Sequence, residues 1–133
     1  MSSPGWSMVI QVIAQRYQRI AIVGGPKTGK TTLAKTFRDR PVISTDDYIA
    51  LDWADVPAKV IEAAGAAGPS FVVEGVQTAR ALRKGLAVDA VVVLTTPKQQ
   101  LTSGQMVMTK GVSTVFAEWK AANPNAVIAA EPR

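Results

Sequence analysis

Residues 24–32, Gly-Gly-Pro-Lys-Thr-Gly-Lys-Thr-Thr, match the pattern G-x-x-x-x-G-K-[ST] through Gly24, Gly29, Lys30 and Thr31. The spacing suits capture of a phosphate chain. Glycines let successive backbone N–H groups turn inward toward phosphate oxygens, and a helix opening near Gly29 adds the positive end of its dipole. Lys30 has the reach for β- and γ-phosphates, and the Thr31 hydroxyl is a ligand of the kind Mg²⁺ takes. With four positions constrained, chance yields such a match in about one chain in a few hundred of this length. Nucleotide binding is therefore expected, with Gly25, Pro26, Lys27, Thr28 and Thr32 completing the loop.

Two acidic elements could decide what becomes of the phosphate. The run Ser44-Thr45-Asp46-Asp47-Tyr48 offers a carboxylate to accept a hydroxyl proton and to hold Mg²⁺ through water. Asp46 is the expected base and metal-side ligand; Asp47 is the better candidate for a helix cap, a role Asp favours. Glu74, in Val72-Val73-Glu74-Gly75, would hold a metal-bound water or a substrate hydroxyl. A buried glutamate is costly without a partner, and Arg80 is the candidate mate. Gly75 would permit a close backbone approach.

The sequence contains neither histidine nor cysteine. Imidazole bases, thiolate nucleophiles, disulfides and cysteine-rich zinc sites are thereby excluded, leaving a carboxylate as base and a hard, oxygen-ligated metal.

These groups need elements to place them. Apolar, β-branched runs bounded by turn residues predict buried strands at 19–25, 41–45, 71–75, 89–97 and 125–130. Helical segments are expected between them at 31–38, 54–67, 78–84 and 98–122. Gly111 and its β-branched neighbours suggest a break or short lid near Lys110. Trp6, Val9, Ile10, Ile13 and Tyr17 recur at helical spacing and predict an amphipathic lead-in across 1–18, although Met8–Ala14 also reads as a strand. Strand alternating with helix implies an α/β fold, a three-layer parallel sheet of about five strands, in a single domain spanning 1–133. Asp46 and Asp47 then fall on the carboxyl rim, where open α/β sheets bind ligands.

Competing phosphate-loop classes leave other traces. An N-K-x-D base-reading motif is absent, which disfavours a GTPase without separating ATP from GTP as the nucleotide; a motor-type Asp-Glu after an apolar strand is absent too. The segment Gly24–Phe37 followed by Ile43–Ile49 resembles the phosphate-loop kinases of the polynucleotide kinase, zeta-toxin and uridine kinase group, and 72–76 is similar to the third strand of uridine kinase and phosphoribulokinase relatives. The resemblance covers roughly 19–97. It implies ATP and Mg²⁺ as cofactors, Lys30, Asp46, Glu74 and Arg80 as catalytic residues, and a hydroxyl acceptor. Kinases of this group usually bring arginines from a lid after the fourth strand. Here no arginine lies between Arg83 and Arg133, so Lys110, or Arg80 with Arg83, is the expected substitute.

The net charge of +5 and an isoelectric point near 9.8 favour anionic partners. With the weak lid, this points to a nucleotide or nucleic-acid acceptor: a 5-hydroxymethyl-pyrimidine in DNA, of the kind phosphorylated by minimal viral phosphate-loop kinases, or a polynucleotide 5′-hydroxyl. A non-catalytic ATP-binding regulatory module and a nucleic-acid-stimulated ATPase are the rival classes. No apolar run has membrane-spanning length and no cleavable leader is seen, so a soluble, cytoplasmic protein is expected.

Overall fold

The computed structural model describes residues 4–132. The first three positions and Arg133 of the expected 1–133 span lie outside the described residues. In chain order the elements are α1 (Pro4–Arg16), β1 (Arg19–Gly24), α2 (Lys30–Ala34), β2 (Val42–Ser44), α3 (Val56–Ala67), β3 (Phe71–Glu74), α4 (Thr78–Lys84), β4 (Ala90–Leu94), α5 (Ser103–Ala122) and β5 (Ile128–Ala130). Two 3₁₀ turns, Thr45–Tyr48 and Trp53–Asp55, link β2 to α3.

All five strands are parallel, in the order β2-β3-β1-β4-β5. Each strand presents alternate residues to opposite faces, and both faces are covered, so the strands read as near-continuous apolar runs. Ala21, Val23, Val73 and Val91 pack beneath α3, α4 and α5, against Val60, Leu82 and Val115. Ile20, Ile22, Val72 and Val92 face the other way, against Trp6, Ile10 and Ile13 of α1 and Phe37 beyond α2. The expected three-layer architecture is present.

Helix α1 settles the ambiguity of Met8–Ala14. Its buried stripe is Trp6, Ile10 and Ile13, while Met8, Val9 and Val12 are exposed. Arg40 closes the end of this helix: its guanidinium donates to the carbonyls of Ala14 and Tyr17, both at 2.6 Å, satisfying groups that a helix terminus leaves orphaned.

Local expectations fail at several places, the helix expected at 98–122 beginning only at Ser103 and the strand expected at 125–130 only at Ile128. The helix after the phosphate loop ends at Ala34 rather than Arg38, because Thr36 and Phe37 donate three residues back, to Leu33 and Ala34, and tighten the chain into turns. The fourth strand stops at Leu94, where the Thr95 and Thr96 amides turn to the Glu131 carboxylate at 3.3 Å instead of continuing the ladder. The expected break near Lys110 is absent. Helix α5 runs unbroken from Ser103 to Ala122, opened by a capping box in which Thr102 and Gln105 satisfy each other's backbone N–H groups. Val112 and Val115 bury that helix on the sheet.

Candidate active site

The phosphate loop joins β1 to α2 at the carboxyl rim, beside the ends of β3 and β4 on either side of β1. Gly24 and Gly25 are buried, and a side chain at either would press on Thr28 or Thr109 at 2.6 Å. Glycine is required at both by close approach. Gly29, with φ 91°, caps α2 in the left-handed region, and Lys27 shares that region at φ 61°. The loop is drawn together at one carbonyl. Gly25 O accepts from Thr28 Oγ1 at 2.9 Å and from Lys30 Nζ at 2.6 Å. Burial pushes the Lys30 ammonium down from its ordinary range, while the charges of Glu74 and Asp46 oppose that shift.

A cleft of about 540 Å³ opens in front of the loop. Pro26, Lys27, Gly29, Lys30, Thr31 and Thr32 form one wall; Asp46, Trp53, Gln77 and Met108 are among the residues opposite. Asp46 is exposed at its mouth, just past β2, and Asp47 is not among the lining residues. The expected capping role of Asp47 is taken by Ser44, whose hydroxyl accepts from the Asp46 amide at 3.3 Å.

Glu74 closes β3 at 1% exposure, and its Oε1 accepts from Thr31 Oγ1 at 3.4 Å. Its other oxygen, Oε2, is buried without a partner, as are Thr45 Oγ1 and Gln77 Oε1. The expected Glu74–Arg80 pair is not formed. Arg80 instead lies over the Trp53 ring, 5.2 Å from its centre, with Nη1 buried and unbonded. Burial, and then the neighbouring Arg83, push this guanidinium down from its usual range.

Mg²⁺ takes oxygen ligands in octahedral geometry and keeps several waters, so it needs few protein donors. Thr31, the carboxylate of Glu74 with its orphaned oxygen, and Asp46 fit that demand. Among the described residues no three acidic side chains gather into a cage, so this chain's contribution would be one hydroxyl and carboxylates acting through water.

Gly75 follows at φ 133°, and a Cβ there would overlap the Thr45 side chain. Gly75→Ala is expected to destabilise the fold by about 2–4 kcal/mol, since strain and overlap add. A shift of the urea midpoint by under 1 kcal/mol equivalent would show that the 45–48 turn yields instead.

Several residues that line the cleft carry no site signal in the sequence. Trp53 could have been noticed as an aromatic in a polar stretch; Gln77 and Thr45 carry no local signal. Lys110, the expected lid cation, is exposed on the continuous α5, and the same helix lines the cleft through Gln105 and Met108. Lys98 meets the loop through its backbone: its amide donates to Lys27 O at 2.7 Å.

The sheet order and the position of this loop define a three-layer α/β fold of the phosphate-loop type. The chain is similar in structure to the shikimate kinase from Acinetobacter baumannii in complex with shikimate, with a TM-score of 0.53 at 14% identity, over 93% of this chain and 88% of that one. No protein-family model matches the sequence, and no curated protein matches it. Among the described residues, no helix is long and apolar enough to cross a membrane.

Proposed function

We propose that this chain is one ATP-dependent kinase domain that transfers the γ-phosphate to a hydroxyl of a nucleotide or nucleic-acid acceptor, with a 5-hydroxymethyl-pyrimidine in DNA or a polynucleotide 5′-hydroxyl as the specific acceptors. The observation that carries this reading is the set of buried, unpartnered polar atoms around one cleft. Thr45 and Gln77, each carrying such an atom, line it, and Glu74, whose Oε2 is another, meets the lining residue Thr31 through its Oε1. Buried polar groups are normally paired, so such a cluster opposite a phosphate-binding lysine suits a polar ligand.

Lys30 and the loop amides hold the phosphates in line. Thr31, with Glu74 and Asp46 acting through water, would hold Mg²⁺, which would supply charge neutralisation to the phosphates. Asp46 takes the proton of the acceptor hydroxyl as its oxygen bonds to the γ-phosphorus and the bond to the bridging oxygen of ADP breaks. Glu74 and Arg80 position the acceptor. Trp53, half exposed on Arg80, offers a face for a base, and Arg83 and Lys84 beside it offer cations for a phosphate.

The test is incubation with γ-labelled ATP and separate pools of hydroxymethyl-pyrimidine DNA, 5′-hydroxyl DNA, nucleosides and shikimate. Label is expected in a nucleic-acid pool. Label in shikimate alone overturns the acceptor. Phosphate release to water that rises with DNA, with no labelled polymer, makes the chain an ATPase; nucleotide-dependent partner binding without turnover makes it a regulatory module.

A further inference from the structure

Beside the loop, on the side away from Asp46, a second cleft of about 550 Å³ lies between α1 and α2, with Thr28, Gly29, Lys98 and Glu131 among its lining residues. The two clefts share Gly29 and Thr32, so they meet at the phosphate loop. Lys98 stands at that junction. Its amide is fastened to the loop through Lys27 O, and its Cε lies 3.7 Å from where a Gly29 side chain would begin. The ammonium is one bond further on, and it is turned aside to Glu131 Oε2 at 3.1 Å.

Glu131 is well placed to hold it there. Its side chain is 8% exposed, against 44% for Lys98, and its Oε1 is fixed by the Thr95 and Thr96 amides at 3.3 Å. A rigid carboxylate thus faces a flexible cation that also lies beside the phosphate loop. The chain from residue 84 to 132 lacks arginine, so a lysine must supply any positive charge from this stretch, and Lys98 is bonded to the loop through its backbone.

We propose that Lys98 is a phosphate-binding residue of the nucleotide site, held aside by Glu131 and exchanging that carboxylate for a nucleotide phosphate when the loop fills. The proposal rests on the nucleotide-binding reading above. It predicts effects of opposite sign at the two partners, because Glu131 and the phosphate compete for one ammonium.

Calorimetric titration of the full chain with Mg²⁺-ADP tests this without reference to turnover. Lys98→Ala is expected to weaken ADP binding about tenfold, the equivalent of one charge-assisted hydrogen bond, and Lys98→Arg to restore most of it. Glu131→Gln keeps an acceptor for the Thr95 and Thr96 amides, and is expected to tighten ADP about two- to threefold, the scale of a part-exposed pair released. Thermal melts without nucleotide show that the variants are folded. Unchanged affinity in Lys98→Ala, or equal weakening in Lys98→Ala and Glu131→Gln, overturns the proposal, the latter making the pair a structural clip. Failure of the unsubstituted protein to bind ADP overturns both this proposal and the nucleotide reading; loss of binding in Lys30→Ala together with unchanged binding in Lys98→Ala overturns this one alone.

Discussion

Replacing Lys30 with methionine is expected to lower phosphoryl transfer about a thousandfold, roughly 4 kcal/mol of transition-state stabilisation, while leaving the fold at least as stable. The loss follows from position. Lys30 is the buried cation of the loop, aimed across it at Gly25 O, and a neutral side chain cannot neutralise charge on a transferring phosphoryl group. The gain in stability follows from burial. The Gly25 carbonyl keeps the Thr28 hydroxyl as donor, so removing the ammonium leaves no orphaned acceptor.

This prediction has a pH signature. The folded-state pKa of Lys30 lies below its ordinary 10.5, chiefly through desolvation. Between that lowered value and 10.5 the unfolded chain binds more protons than the folded one, so the stability of the unsubstituted protein rises with pH across that window. Below it, the cost of burying the charge is fully present. Thermal melts without nucleotide should therefore place Lys30→Met above the unsubstituted protein at pH 7, with the gap closing as pH approaches 10.5. A gap that widens with pH would mean that attraction to Glu74 and Asp46 outweighs desolvation.

Asp46→Asn is expected to lower kcat about 10²- to 10⁴-fold while ADP affinity changes by no more than about twofold. Asparagine keeps the shape but cannot accept the hydroxyl proton. The turn should survive, because its cap joins the Ser44 hydroxyl to the Asp46 backbone amide rather than to the side chain. Asp47→Asn serves as the comparison, since Asp47 does not line the cleft; its kcat should fall less than about threefold, the scale of a lost long-range charge. Steady-state kinetics with the labelled acceptor measure both. The reverse ranking would move the base to Asp47.

The phosphate loop, the parallel sheet and the lead-in helix were legible because each depends on local chemistry or on a short period. Gly24, Gly29, Lys30 and Thr31 carry a pattern with few other uses, and doubly buried strands leave apolar runs that need no tertiary knowledge to see. Gly111 misled for the opposite reason. Its low helix propensity is a local penalty, outweighed by a capping box at one end of α5 and the burial of Val112 and Val115 further along. Arg80 misled in a similar way. Its nearness to Glu74 in sequence suggested a pair, but α4 carries it toward Trp53, which comes from the 3₁₀ turn before α3.

The residues alone marked a phosphate-loop pattern at 24–32, removed imidazole and thiolate chemistry, and pointed to strands that form one parallel sheet. Residue type and spacing within a few positions are enough for those conclusions. Only the tertiary structure decided that Thr45, Trp53 and Gln77 share a cleft with Lys30, that Glu74 meets Thr31 and not Arg80, and that Lys98 rather than Lys110 lies against the loop. These meetings join residues far apart in the chain. They are set by the order β2-β3-β1-β4-β5, which brings the ends of β2, β3 and β4 around β1, and no spacing along the chain records that order.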